Sequence, residues 1–347
     1  MQPQSADAPV RPHPGAGPDR STARVGCPVL VVIVNYKSAP LAVDCLASLE
    51  EELAGIPGAR VALVENASGE AGELARALDD RGWHGWVDLI EADRNGGFAY
   101  GNNRAIGPAL AGDDPPRYLL LLNPDTYIHP GAVRELVAFM DTHPRAGIAG
   151  SRLENPDGSA RRSAFRFPSL ASELESTIAM GPVSKVLKPW VVAPPVPEGA
   201  EPTPTDWLSG ASMIVRREVF ADIGLMDETY FMYFEEVDFC RRAARSGWGR
   251  WYVPRSRVVH LVGQSSGVTD PKKRRNRRPR YWFASRRHYF KTHLGPAGVV
   301  VADLLWASGY GLKRLRDLAT GRGNEDPEHF LGDFLRYNFS FRRGRGA

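Results

Sequence analysis

Apolar residues recur along the first half of the chain in two alternating rhythms. Val29 to Val34 is a continuous run rich in β-branched residues, the pattern of a parallel strand buried on both faces. Leu41 to Leu53 follows with apolar residues at helical spacing. Val61 to Val64 predicts a second strand, Glu70 to Leu78 a helix, Val87 to Ile90 a third strand and Tyr118 to Leu122 a fourth. Pro130 to Met140 predicts a helix with proline at its start, where the missing N–H is harmless. Strands alternating with helices predict an α/β, Rossmann-like layer fold: a mostly parallel sheet with helices on both faces. Such sheets bind ligands at the carboxyl ends of their strands. Asn35-Tyr36, Glu65-Asn66 and Asn123-Pro124-Asp125 each end an apolar run, so they are expected to line one cleft.

The rhythm is lost further on. Residues 187–206 hold six prolines and predict a loop over the cleft or its acceptor side. Residues 263–280 are polar and basic, and Tyr281 to Leu294 mixes aromatics with Arg, Lys and His. Ala297 to Leu318 spaces Val300, Leu304, Leu305, Leu312, Leu315 and Leu318 at helical intervals, with Lys313, Arg314 and Arg316 between them. This predicts an amphipathic helix, broken near Gly309 and Gly311. Phe330, Phe334, Tyr337 and Phe339 would dock the tail beyond Gly321. The expected organisation is a disordered tail over 1–26, a catalytic-size domain over 27–265 and a basic, amphipathic helical extension over 266–347.

Composition narrows the function classes. A chain of 347 residues, 43% hydrophobic with eight Trp, can bury a sizeable core. Three cysteines without close spacing give neither a disulfide framework nor a zinc site, and suit a reducing cytoplasm. Residues 1–26 hold five prolines and no apolar signal-peptide core, and no uncharged apolar run reaches membrane-spanning length. The net charge of +4 is unevenly placed, because residues 272–291 carry ten Lys or Arg and no acid. That asymmetry predicts an anionic partner: phospholipid, a lipid diphosphate or nucleic acid. Tyr281, Trp282, Phe283, Tyr289 and Phe290 could then sit at the headgroup level of an anionic membrane. The alternative is that this segment folds against the domain and its arginines pair with acids.

The densest chemistry lies at Phe231-Met232-Tyr233-Phe234-Glu235-Glu236-Val237-Asp238-Phe239-Cys240-Arg241-Arg242. Three carboxylates sit among aromatics, with Arg241 and Arg242 as possible charge partners. Burial and like-charge crowding raise carboxyl pKa values, which suits a general base near neutral pH. A solvated helix face is the bland alternative, at odds with the apolar lead-in. Asn95-Gly96-Gly97-Phe98-Ala99-Tyr100-Gly101-Asn102-Asn103 is a glycine-rich loop entering a helix, which lets backbone approach a phosphate, or is an ordinary turn.

Taken in order with Val31 to Tyr36, Val64 to Ser68, Leu120 to Thr126, Ser209 to Phe220 and Ile223 to Glu228, these segments resemble the family 2 glycosyltransferases of the GT-A fold. The nearest branch resembles bacterial rhamnosyltransferase-type enzymes of cell-wall and O-antigen assembly, and the likeness spans roughly residues 27–265. The resemblance implies that Asn35, Tyr36, Glu65, Asn66, Asn95, Gly97, Phe98, Asn102, Asn103 and Asn123 bind the nucleotide-sugar donor. A carboxylate at Glu65 could accept the imide N–H of uracil or thymine. The family commonly has Asp there, and Glu65 also reads as a helix cap. Asp125 would hold a divalent cation, Mn2+ or Mg2+, on the diphosphate, with Asn123 replacing the first acid of the family's Asp-x-Asp motif. His260 would be a second metal ligand, or a hydrogen-bonded histidine at a strand end. Asn123-Pro124-Asp125 alone is also a common turn.

Glu236 matches the family's catalytic base, with Glu in place of Asp, and Glu235 and Asp238 would support it. The implied reaction is a single in-line displacement with inversion. The best specific expectation is L-rhamnose transfer from dTDP-rhamnose to a glycan or polyprenyl-diphosphate-linked acceptor at the inner face of the cytoplasmic membrane. Galactofuranosyl, glucosyl and N-acetylglucosaminyl transfer from UDP-sugars are the alternatives. A sugar nucleotidyltransferase would need a Gly-rich loop after the first strand, which Asn35 to Pro40 does not supply. The basic-aromatic run from Lys272 to Trp282 also suits RNA, but it is one short segment beside a full catalytic set, so no nucleic-acid partner is expected.

Overall fold

A computed structural model describes residues 26–178, 181–197, 199–261, 276–323 and 326–339. The expected tail (residues 1–25) and the basic run at 272–275 lie outside the described residues. The chain begins β1 (Val29–Asn35), α1 (Ala39–Ala54), β2 (Arg60–Glu65), α2 (Ala71–Arg81), β3 (Val87–Glu91), α3 (Gly97–Ala111) and β4 (Tyr118–Leu122). It continues β5 (Thr126–Ile128), α4 (Ala132–Thr142), β6 (Ala146–Glu154), β7 (Ala160–Arg161), β8 (Ala164–Phe165), α5 (Leu170–Ile178) and α6 (Gly181–Leu187). Next come β9 (Thr203–Pro204), β10 (Trp207–Leu208), β11 (Ser212–Arg216), α7 (Arg217–Ile223), α8 (Glu235–Arg245), β12 (Gly249–His260), α9 (Arg280–Ala319) and α10 (Phe330–Phe339).

The main sheet has the order β3-β2-β1-β4-β11-β6-β12-β5, with β7 on β6 and β9 on β12. β3, β2, β1 and β4 are parallel, the core that the alternation predicts. β11 joins antiparallel to both β4 and β6, so the sheet beyond β4 is mixed. Alternate side chains of β1 feed two cores. Val29, Val31 and Ile33 pack with Leu46, Leu49, Leu78 and Leu136 of α1, α2 and α4. Leu30 and Val32 pack with Ile106, Val219, Phe220 and Phe239 of α3, α7 and α8. Full burial of each such side chain contributes roughly 1.5–3 kcal/mol, and a one-residue slip would exchange the two faces. The register is therefore fixed, and it sets Asn35 beside Glu65 at the ends of β1 and β2. All three cysteines are free, and burial pushes the Cys45 and Cys240 thiols up to about 12, so both are inert packing groups.

The described helices beyond residue 276 pack on the domain. α9 is two helices joined at Gly295, whose φ of 73° is non-helical, with Pro296 after it. The interruption expected near Gly309 and Gly311 is absent. Gly309 instead lets α9 approach α5, where a Cβ would overlap Thr177 Oγ1. Tyr289 and Phe290 share a core with Tyr230 and Val237, and Phe334 of α10 packs with Phe283, Trp306 and Tyr310. The buried Arg286 pairs with Glu173 at 2.5 Å and Asp303 at 2.6 Å, Arg287 with Asp303 at 3.0 Å, and Arg277 with Asp333 at 2.6 Å. A buried guanidinium without such partners would cost several kcal/mol. Phe283, Tyr289 and Phe290 are buried, so they do not stand at a surface as the headgroup expectation requires. Among the described residues no helix is long and apolar enough to cross a membrane.

Candidate active site

The carboxyl ends of β1, β2 and β4 open into a cleft of about 620 Å³. Of the residues singled out in the sequence, Tyr36, Asn66, Asn95, Gly97, Phe98, Asn123, Asp125, Glu235, Glu236 and His260 line it. Asn35, Glu65, Asn102, Asn103 and Asp238 do not; each is buried in the framework behind it.

On the side of β1 and β2, the glycine-rich loop is held tightly. Gly97 has φ 88°, and a Cβ there would overlap the carbonyl of Phe231. Only glycine fits a left-handed residue against another backbone. The Phe98 N–H donates to Phe231 O at 3.0 Å, which joins this loop to the acidic segment. Asn66 Nδ2 donates to Gly97 O and Asn95 Oδ1, both at 3.2 Å. Asn102 donates to Phe98 O, and Asn103 to Met226 O and Glu228. Glu65 accepts from the N–H and hydroxyl of Ser68, so its carboxylate ties down the loop after β2. Glu70 escaped the sequence reading. It accepts from Asn35 Nδ2 at 2.8 Å, Ser38 N at 3.0 Å and Ser68 Oγ at 2.9 Å, joining the loops after β1 and β2. Burial alone would raise its pKa, but the hydrogen bonds from Asn35 and Ser68 outweigh burial and hold it below the usual range.

Across the cleft, Asp125 is buried, and neither of its oxygens has a hydrogen-bond partner among the described residues. The pairing of His260 with Thr126 across β12 and β5 brings the imidazole alongside. His260 Nε2 lies 3.2 Å from Asp125 Oδ1 and 3.3 Å from Asn123 Nδ2. The contact to Asp125 is close but lacks hydrogen-bond geometry. Among the described residues no group of three or more His, Cys, Asp or Glu could hold a metal. One carboxylate and one imidazole nevertheless fit a hard cation that keeps waters and takes its other ligands from phosphate oxygens. An orphaned buried carboxylate is costly until something charged meets it. Arg161 of β7 and Arg162 also line the cleft, and neither was singled out in the sequence. Burial lowers the pKa of the Arg161 guanidinium while Asp125 pulls it up, which sets its charge within the field of that carboxylate.

The acidic segment closes the cleft. Tyr233 and Phe234 both take left-handed φ, 70° and 71°, a strained pair that turns the chain into α8. Glu235 and Glu236 occupy the first turn of that helix, and Oε2 of each is buried with no hydrogen-bond partner among the described residues. A helix N-terminus favours anions, but burial wins. Burial, then the charge of Glu236, pushes Glu235 well above the usual carboxylate range, and burial raises Glu236 to about 7. Asp238 differs. Burial would raise it too, but His293 at 2.8 Å and Arg242 at 2.7 Å hold it below the usual range. Aromatics complete the walls: Phe165 stacks on Trp207 at 4.1 Å, and Tyr281 of α9 lies 5.2 Å from Phe231. Such flat faces suit sugar rings. The arrangement can place an anionic, metal-associated group at Asp125 and remove a proton at Glu236.

A family model described as "Glycosyltransferase like family 2" matches residues 27–281. The N-acetylglucosaminyl-diphospho-decaprenol L-rhamnosyltransferase of Mycobacterium tuberculosis is 35% identical over 249 residues, which cover 70% of this chain and 78% of that protein. The low-salt glycan biosynthesis hexosyltransferase Agl10 of Haloferax volcanii is 29% identical over 228 residues, covering 62% of this chain and 61% of its own. Among solved structures, the mannosyltransferase PcManGT from Pyrobaculum calidifontis, in complex with GDP-Man and Mn2+, superposes with a TM-score of 0.52. At 13% identity, over 87% of this chain and 77% of that one, it is a likeness of fold.

Proposed function

The chain belongs to glycosyltransferase family 2, and we propose that it is an inverting rhamnosyltransferase moving L-rhamnose from dTDP-L-rhamnose to a hydroxyl of a polyprenyl-diphosphate-linked sugar. Its class is that of a hexosyltransferase of polysaccharide and cell-wall synthesis. The donor and lipid-linked acceptor are supported by the name of the mycobacterial relative. The observation that carries the reading is a single cleft with buried carboxylate oxygens on two walls that have no hydrogen-bond partner among the described residues, those of Asp125 beside His260 and Oε2 of Glu235 and Glu236. A structural ion-pair network would have partnered them.

A divalent cation, Mn2+ or Mg2+, would be held by Asp125 and His260 and would supply positive charge to the leaving diphosphate; the Mn2+ bound with GDP-Man in PcManGT supports this. Arg161 adds a fixed cation beside it. The backbone of the Asn95 to Phe98 loop approaches the donor closely because Gly97 lacks a side chain. Glu235, pushed well above the usual carboxylate range by burial and then by the charge of Glu236, holds its proton more tightly than a free carboxyl and can donate it in a hydrogen bond. Glu236, titrating near 7, accepts the proton of the acceptor hydroxyl as that oxygen attacks the anomeric carbon from the face opposite the diphosphate. Asn35, Glu65, Asn102, Asn103 and Asp238 position these groups from behind. The catalytic unit would comprise residues 27–265 with the first half of α9, whose Tyr281 walls the cleft. The protein would work in the cytoplasm, peripheral to the inner face of the cytoplasmic membrane.

The test is transfer to a short-chain prenyl-diphosphate N-acetylglucosamine, read by mass spectrometry with Mg2+ or Mn2+. dTDP-L-rhamnose should be consumed with release of dTDP. Turnover only with UDP-galactofuranose, UDP-glucose or UDP-N-acetylglucosamine would overturn the donor. Release of pyrophosphate would overturn the transferase class.

A further inference from the structure

Six aliphatic side chains on the second half of α9 stand in water. Val300 is 48% exposed, Val301 42%, Leu304 52%, Leu312 48%, Leu315 66% and Leu318 70%. At 100° per residue they fall within an arc of about 120°, running for about 27 Å along the helix. The opposite face is the one the fold uses: Val299, Ala302, Trp306 and Tyr310 are buried there. The helix therefore has two apolar faces, and among the described residues only one is covered.

The charges around the stripe say what covers the other. Both acids of α9, Asp303 and Asp317, lie on the buried side and pair with Arg286, Arg287 and Arg316, so the exposed arc contains no carboxylate. Between Arg280 and Arg322 the chain has eight Lys or Arg and only those two acids, in a protein whose net charge is +4. Arg314 and Arg316 border the arc, and exposed Arg322 follows its end. A second copy seated on this stripe would set two such basic segments against each other. An anionic surface is attracted instead, and one with a hydrocarbon layer beneath it satisfies both the charge and the aliphatic face.

We infer that the outer face of α9 from Val300 to Leu318 is a membrane-docking surface that lies in the plane of an anionic bilayer. The inference rests on the lipid-linked acceptor proposed above and names the surface that brings the enzyme to it. The same element supplies Tyr281 to the cleft, so seating α9 on the bilayer fixes the cleft relative to the lipid phase. Of the extension that the sequence suggested, the amphipathic stretch is the part that remains exposed: the described aromatic and basic residues before Gly295 are largely spent on packing and ion pairs.

The test uses the full chain and flotation with vesicles of phosphatidylcholine, with or without phosphatidylglycerol. Wild type should float with the anionic vesicles and much less with the neutral ones. Leu304→Ser/Leu315→Ser and Leu304→Glu/Leu315→Glu change exposed positions, so circular dichroism and thermal unfolding should match wild type. Vesicle affinity should fall by roughly tenfold for each leucine replaced by serine, and further with glutamate. Transfer to a vesicle-embedded acceptor should fall in parallel, while turnover of a short, water-soluble acceptor stays unchanged. Wild type that fails to float, or a serine variant that floats as well as wild type, would overturn the inference. So would a concentration-dependent dimer in ultracentrifugation that the serine variant abolishes. Stripe-dependent vesicle binding without transfer to any acceptor would leave this surface standing and remove the transferase reading.

Discussion

Glu236→Gln should make the protein slower and more stable at once. Burial raises this carboxyl from an ordinary 4.5 to about 7. At about 1.4 kcal/mol for each tenfold change in proton affinity, the ionised group costs the folded state roughly 3 kcal/mol. The sign follows from which state holds the proton more tightly. Here it is the folded state, so below about pH 4.5 both states are protonated and nothing is lost. The penalty grows as pH rises and is complete above about 7. Gln is neutral throughout, but it puts an amide where Oε2 already lacks a partner, which returns part of the gain. The expected net gain is about 2 kcal/mol at pH 8.5, or roughly 3 °C in Tm for a chain of this length, and about zero at pH 4.5. Turnover should fall by roughly 10²–10⁴, the usual contribution of a general base. Wild-type kcat/KM should lose activity on the acid side with a midpoint near pH 7. The assays are thermal unfolding at the two pH values without donor or metal, and initial rates across pH. Equal stability at pH 8.5 would refute the raised pKa. Turnover within a few-fold of wild type would take the base role from Glu236 and pass it to its neighbours.

The other predictions address the opposite wall and the loop. Asp125→Ala should weaken nucleoside-diphosphate binding at least about tenfold in calorimetry with Mn2+ present, and leave metal-free binding unchanged; unchanged affinity with Mn2+ would reduce Asn123-Pro124-Asp125 to a turn. Arg161→Gln should weaken the same ligand by about 1.5–3 kcal/mol, the range for a charge-assisted hydrogen bond, with or without metal, and the contrast with Asp125→Ala separates the two cations. Gly97→Ala should destabilise the fold by roughly 2–3 kcal/mol, from left-handed strain plus the lost Phe98 to Phe231 hydrogen bond, and a variant that melts like wild type would show that the loop can retreat from Phe231.

The parallel half of the sheet could be read from the sequence because each strand there is a continuous apolar run. The mixed half could not. β11 is only Ser212 to Arg216, and β12 mixes Arg250, Arg255 and Arg257 with its apolar residues, so neither breaks the surrounding polarity in a way that marks a strand. The cleft residues that end strands were legible because strand ends in such sheets face the ligand. Their second neighbours were not. Asn35 and Glu65 sit one position before Tyr36 and Asn66, and that single step turns them from the cleft into the framework. Glu70 carries no motif, and its role appears only once two loops are seen to converge on it. Arg161 and Arg162 reach the cleft through a two-residue strand that no periodicity announces.

The acidic segment shows how partners distant in sequence decide chemistry. Glu235, Glu236 and Asp238 are near neighbours on one helix; Glu235 and Asp238 are buried, and Glu236 is half-buried at the cleft wall. Asp238 receives Arg242 from its own helix and His293 from α9, 55 residues away, and becomes an ionised anchor. The two glutamates receive no cation from the described residues and titrate high. α9 also accepts and donates along the same stretch: Ser285 donates to Met232 O at 3.0 Å, His288 meets Asp227 at 2.7 Å, and Tyr289 accepts from Arg241 at 2.6 Å. These contacts bracket the strained Tyr233-Phe234 turn on both sides, so the geometry that presents Glu236 to the cleft is fixed largely by the C-terminal helix. Removing α9 would release the turn, strip Asp238 of its imidazole and unwall the cleft at Tyr281 together. The helix that carries the exposed aliphatic stripe on one half therefore holds Glu235 and Glu236 in place with the other, so the proposed docking and the cleft would be coupled through a single element.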